Sequence, residues 1–224
     1  RSDGRDFYLA QARLRALTEK IPDDAMSWFD HRLKQPEISQ GESDAIFYGQ
    51  AIVHQRKGDY QKARGLLQNL IDRDHHLAYE LQLADLDLEA GREDQAVDSL
   101  ANLYHSFPGN HAISMQYAKA LLKNRKPGPA ETAGVVLRQQ LLSRPNDPGL
   151  YELYAQAANV AGDRIRAKEA IAESYYLRGS IHEAAMQLQE LTRNEDLDYY
   201  QRARITARIN EWRRELARLG LDEG

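Results

Sequence analysis

Lys57-Gly58-Asp59-Tyr60-Gln61-Lys62-Ala63 reads as a helix stop, a tight turn and a helix start. Glycine takes the left-handed backbone that ends one helix. Alanine, one turn into the next helix, leaves room for the two to approach closely. The same spacing returns at Gly91–Ala96, Gly162–Ala167 and Gly179–Ala184. A Leu or Ile follows each Ala by four residues, at Leu67, Leu100, Ile171 and Leu188. A small residue precedes each Gly by seven, at Ala51, Ala84, Ala155 and Ala172. These steps continue an apolar face on either side of the turn, so each unit is expected to fold as a helical hairpin.

Ser106-Phe107-Pro108-Gly109-Asn110 and Ser143-Arg144-Pro145-Asn146-Asp147 supply turns between hairpins. Recurrence at this period is the pattern of the tetratricopeptide repeat (TPR), a helical hairpin of ~34 residues. The expected fold is an all-α TPR solenoid with helical caps, because no stretch alternates as a strand does. The repeat array is placed at 44–193, with repeats at 44–76, 77–110, 111–147 and 148–180. Helix 164–177 closes the fourth repeat and opens an overlapping half-repeat with 181–193. Residues 1–43 are expected to be capping helices and a linker (37–44), and 194–224 a capping helix. In the first cap Phe7, Ala10, Leu14, Leu17 and Ile21 step by three and four, as a buried helix face would. In the last, Ile205, Ile209, Trp212, Leu216 and Leu219 do the same.

The 224 residues hold no run of apolar residues long enough to span a membrane. A net charge of −4 and a pI of about 6.0 argue against a general nucleic-acid binder. With no cysteine, disulfides and thiol chemistry are excluded, but no compartment is selected. The chain opens at Arg1 without an initiator Met or leader, as a piece of a longer protein would.

Candidate chemistry is sparse. His182-Glu183-Ala184-Ala185-Met186 is one residue short of the zinc-peptidase helix motif His-Glu-x-x-His. Met186 is a poor zinc ligand, and Ala184 falls on the small position of the repeat, so the repeat accounts for the motif. His75-His76 with Glu80 offers too few ligands for a dedicated metal site. Asp85, Asp87, Glu89 and Asp94 are expected on a solvated helix face. Arg202, Arg204, Arg208, Arg213, Arg214 and Arg218, partly offset by Asp198, Glu211 and Glu215, are expected on the outer face of the cap. No phosphate loop, nucleophile motif or dinucleotide motif is present. The chain is therefore expected to hold no catalytic residue, no metal and no cofactor.

The remaining candidate is the groove that stacked TPR hairpins form with the first helix of each repeat. Its expected lining is Tyr48, Ile52 and Gln55 in repeat one, and Leu81, Asp85 and Leu88 in repeat two. Met115, Lys119 and Leu122 follow in repeat three, and Glu152, Gln156 and Asn159 in repeat four. Apolar anchors mixed with hydrogen-bonding groups suit an extended or helical peptide. The Lys and Asn clamp for a terminal carboxylate found in cytosolic co-chaperones is missing, because Tyr48 and Ile52 stand in its places.

Three stretches carry a closer resemblance. They are Arg5-Asp6-Phe7-Tyr8-Leu9 through Ala12-Arg13-Leu14-Arg15, Glu173-Ser174-Tyr175-Tyr176-Leu177-Arg178-Gly179, and Asp198-Tyr199-Tyr200-Gln201-Arg202-Ala203-Arg204-Ile205 through Ile209. Together they resemble the C-terminal TPR domain of the BepA-type periplasmic zinc metalloproteases. The resemblance implies a periplasmic location and a separate peptidase domain that holds the zinc. It implies outer-membrane β-barrel proteins and the barrel-assembly complex as partners, with the peptidase domain itself as a third. No catalytic residue carries over, because the family's His-Glu-x-x-His has no counterpart here. A free-standing TPR adaptor without a protease domain is the alternative that the repeats alone allow.

Overall fold

The computed structural model describes residues 4–220. Residues 1–3 and 221–224, the outer ends of the two expected cap segments, lie outside the described residues. Among the described residues there are twelve α-helices and no strand. Helices α1 (Arg5–Thr18) and α2 (Pro22–Leu33) precede the hairpins. The hairpins are α3 (Gln40–Arg56) with α4 (Tyr60–Arg73), α5 (Leu77–Glu89) with α6 (Glu93–Ser106), α7 (His111–Leu122) with α8 (Pro127–Ser143), and α9 (Pro148–Val160) with α10 (Arg164–Leu177). Helices α11 (Ile181–Leu191) and α12 (Tyr199–Leu219) complete the chain.

The recurring turn has the expected physics. Gly58, Gly91, Gly162 and Gly179 all have positive φ, between 75° and 90°. After each, the next amide donates back across the turn: Asp59 to the His54 carbonyl, Arg92 to Asp87, Asp163 to Ala158 and Ser180 to Tyr175, at 2.8–3.0 Å. This is the six-to-one bond of a glycine-terminated helix, which satisfies a carbonyl the helix leaves open. The small residues on both sides of each turn, Ala51 with Ala63 and Ala155 with Ala167 among them, are buried.

The chain divides into two compact units, Arg1–Leu103 and Tyr104–Gly224. In the first, Phe29 of α2 is fully buried and lies against Gly49 of α3. A methyl group at Gly49 would overlap the Phe29 ring at Cζ, with Cε1 at 2.7 Å and Cε2 at 2.9 Å. Helix α1 packs along α3 through Leu9, Ala12 and Ala16, which are buried. The expected face of α1 is the wrong one. Phe7, Leu14, Leu17 and Ile21 are 50–66% exposed. The small face lets α1 lie close to α3, and polar anchors hold it there. Arg5 pairs with Asp74, and Arg56 donates to the carbonyls of Ala16 and Glu19.

Two further expectations for this unit are corrected. Of the stretch 37–44 read as a linker, the part from Gln40 on already belongs to α3. Ser39 caps it, its side chain accepting from the Glu42 amide at 3.1 Å. The acidic face of α5 is not uniformly solvated either. Asp87 is buried and ion-paired with Arg64 and with Arg92, the latter at 2.8 Å. It ties α4, α5 and the following turn together, which is how a carboxylate is tolerated inside.

In the second unit the long turn of repeat three is made by Arg125, with φ 49°, and Pro127 starts α8. Helix α10 packs on α9 and also on α11, so it serves two hairpins. Helix α12 is started by Asp198 and Gln201, which form a reciprocal capping box. It buries Ile205, Ile209, Trp212 and Leu216 as expected, while Leu219 is exposed. The Trp212 ring stacks on Tyr176 at 5.1 Å, and the Arg208 guanidinium sits 4.9 Å above it.

Candidate polypeptide-binding surfaces

In the first unit the expected groove positions are already in use. With α1 along α3, Tyr48, Ile52 and Gln55 are only 2%, 1% and 6% exposed. Arg13 of α1 donates to the Tyr48 hydroxyl at 3.0 Å and to Gln82 Oε1 at 2.5 Å. Gln82 passes a hydrogen bond to Gln55 at 2.7 Å, and Gln55 another to Asp85 at 3.1 Å. A polar chain thus runs from α1 through α5 and α3. Burial pushes the Tyr48 phenol above its ordinary pKa, and the Arg13 charge partly opposes this. Leu81, Asp85 and Leu88 are half-buried. The helix-in-groove mode is therefore met in repeat one by the protein's own helix.

The second unit leaves more of its expected lining accessible. Lys119 is exposed, Met115 is half-buried and Leu122 is buried. Glu152, Gln156 and Asn159 are exposed and share one recess with Lys168, Ile171 and Gln187, about 440 Å³ in volume. Glu152 accepts from Arg178 at 2.6 Å and from the Ser174 hydroxyl at 2.9 Å. These bonds, Arg178's first, hold its carboxyl below the usual range. It is an anchored acceptor at the mouth of that recess.

A second recess, of about 660 Å³, lies between α9, α10 and α12. None of the residues expected to line the groove falls in it, and Tyr151 and Tyr154 reach it from α9. Of the six arginines expected on the outer face of α12, five are exposed as expected and Arg208 is half-buried, but two of them reach across to carboxylates of α10. Arg204 grips Glu169 at 2.9 and 2.8 Å, and Arg208 grips Glu173 at 2.8 and 2.7 Å. Their hydrogen-bonded carboxylates raise the pKa of both guanidiniums. The available signal was the matched spacing of Glu169 and Glu173 with Arg204 and Arg208, four residues apart in each helix.

The histidine motifs resolve locally. His182 and Met186 are exposed on the first turns of α11, while Ala184 and Ala185 are buried. His76 caps α5, its Nδ1 accepting from the Ala78 amide at 3.2 Å, which leaves Nε2 to donate to Asp6 at 3.1 Å. His75 turns instead to Glu80 at 3.3 Å. No three side chains of His, Cys, Asp or Glu converge among the described residues.

Helical hairpins joined by glycine-terminated turns, with small residues at each crossing, define a tetratricopeptide-repeat domain. The tetratricopeptide repeat family matches residues 45–74, the α3–α4 hairpin. Along most of its length the chain is similar to proteins named Beta-barrel assembly-enhancing protease. The one from Escherichia coli (strain K12) is 28% identical over 217 residues, covering 93% of this chain and 42% of that protein. The one from Yersinia pestis is 30% identical over 182 residues, covering 80% of this chain and 37% of that protein. The chain thus spans less than half the length of these curated relatives. Among solved structures it resembles the MamA RS-1 ArsTM double mutant, with a TM-score of 0.55 at 19% identity. That match covers 79% of this chain and 98% of the other. MamA 41-end from Desulfovibrio magneticus RS-1 gives 0.54 at 18% identity, over 79% and 98%. At these identities the structures speak for the fold alone.

Proposed function

We propose that this chain is the polypeptide-binding repeat domain of a periplasmic zinc protease that assists the assembly of outer-membrane β-barrel proteins and degrades failed ones. The single observation that carries this reading is the similarity over 93% of the chain to proteins named for β-barrel assembly. The repeat architecture supplies the mode, a scaffold of rigid helices presenting side chains to polypeptide partners. No helix among the described residues is long and apolar enough to cross a membrane. Catalysis and its zinc belong, in this reading, to the part of such a protein that lies beyond the matched segment. The exposed Phe7, Leu14 and Leu17 of α1, with Ile21 just beyond it, are the surface assigned to packing against that part.

Within this reading Lys119, Glu152, Gln156 and Asn159 meet partners, whereas Tyr48, Ile52 and Gln55 seat α1. A photo-crosslinking residue at Lys119, Gln156 or Asn159 is expected to yield adducts with β-barrel substrates or the assembly complex. The same probe at Lys62, exposed on α4, is expected to yield few. Equal adducts from Lys62 and Gln156 would count against this surface.

A further inference from the structure

The recess between α9, α10 and α12 has a charge pattern that asks for a particular kind of polypeptide. Its volume of about 660 Å³ falls within the ~300–1,000 Å³ of ligand pockets. The two internal pairings, Glu169 with Arg204 and Glu173 with Arg208, keep the same separation of 35 residues. Helices α10 and α12 therefore run in the same direction, with their charged rows in register. In the middle these rows satisfy one another, and Glu211 adds a further bond to Arg208 at 2.6 Å. All three lining carboxylates are spent there.

The ends differ. Arg166, early in α10, pairs among the described residues only with Asp163 one turn back, at 3.2 Å on an exposed surface. Arg214, late in α12, turns its Nε to the Asn210 carbonyl at 3.2 Å and has no carboxylate partner among the described residues. From α9, Tyr151 and Tyr154 face the recess, and their hydroxyls have no hydrogen-bond partner among the described residues. Ala170, Leu188 and Ile205 line it with apolar surface. The recess thus has an arginine at each end, Arg166 with one exposed partner and Arg214 with no carboxylate among the described residues, and between them interlocked ion pairs beside a strip of apolar surface.

We infer that this recess binds an extended acidic peptide segment, with one carboxylate on Arg166, another on Arg214 and an apolar side chain between them. Given the register of the two rows, the arginines are separated by roughly 20 Å of helix rise. An extended chain spans that distance with about six residues. The tyrosine hydroxyls are placed to donate to its backbone carbonyls. A single small anion would need the cations to converge, and a flat bilayer does not enter a walled trench, so a strand-like peptide fits better than either. This inference rests on the polypeptide-binding reading above and names the chemistry of the polypeptide.

The test is fluorescence anisotropy with a labelled octapeptide carrying Glu at its second and seventh positions and Leu between, against its Gln counterpart. The Glu peptide is expected to bind about tenfold tighter, as two partly screened ion pairs allow. Arg166→Gln with Arg214→Gln is expected to remove that advantage. Arg193→Gln with Arg218→Gln, exposed arginines outside the recess, makes the same change in net charge and is expected to keep it. All four side chains lie outside the core, and circular dichroism confirms that each variant is folded. Equal affinity for the Glu and Gln peptides, or equal losses in the two double variants, would overturn the assignment. A chain that captures an unfolded β-barrel protein but ignores the acidic peptide refutes this inference alone. A chain that captures neither refutes the polypeptide-binding reading as well.

Discussion

Trp212→Ala is expected to lower the unfolding free energy by about 3–5 kcal/mol, the cost of emptying a large buried aromatic site. Trp212 is 0% exposed in the cluster that joins α10, α11 and α12. Its indole lies nearly parallel to Tyr176, with an interplanar angle of 15°. Arg208 covers it from one side while gripping Glu173. The indole Nε1 has no hydrogen-bond partner among the described residues, so the loss is one of packing and cation–π attraction rather than of a polar bond. Trp212→Phe keeps much of the area and is expected to cost less than half as much. Urea unfolding followed by circular dichroism checks this, with two transitions allowed in the fit because the chain has two compact units. A change under about 1 kcal/mol in Trp212→Ala would mean that the cluster does not hold α12 in place.

The second large effect is a reversal of sign at Gly49. In a helix interior Gly→Ala normally stabilises, by about 1 kcal/mol. Here the added methyl overlaps the Phe29 ring, and overpacking costs about 1–3 kcal/mol. Gly49→Ala is therefore expected to destabilise the natural chain. Phe29→Ala alone is expected to cost about 3–5 kcal/mol through the cavity it leaves. In that background the overlap is gone, and Gly49→Ala is expected to stabilise. The four-variant cycle isolates the coupling. Gly49→Ala with the same sign in both backgrounds would contradict the close α2–α3 contact.

Legibility from sequence followed the range of the interaction. The Gly-to-Ala spacing was readable because both ends of it, a left-handed backbone and a close crossing, lie within two turns of chain. The same holds for Ile205, Ile209, Trp212 and Leu216, one periodic face on one helix. Helix α1 misled because it carries two periodic faces. Phe7, Leu14 and Leu17, with Ile21 beyond the helix end, are the bulkier set, but Leu9, Ala12 and Ala16 make the closer fit to α3. Periodicity finds faces and does not rank them when both are apolar. The start of α3 was present as Ser39 followed by Glu42, a capping signal hidden by the polar composition around it. The pairing of Asp87 with Arg64 and Arg92, and of Glu169 and Glu173 with Arg204 and Arg208, depends on how helices register against one another. No local pattern states that register. Positional pattern named the expected groove lining but not its exposure: α1 covers Tyr48, Ile52 and Gln55 in the first repeat, whereas Lys119, Glu152, Gln156 and Asn159 of the second unit are exposed.

The most direct test of the polypeptide-binding reading is to mix the purified chain with an unfolded β-barrel outer-membrane protein. Complex formation by analytical gel filtration, substrate integrity over time and the zinc content of the chain are read from the same sample. The account predicts a complex with the substrate left intact and no stoichiometric zinc. Chelator-sensitive cleavage by a zinc-loaded chain, or the absence of any complex, would contradict it.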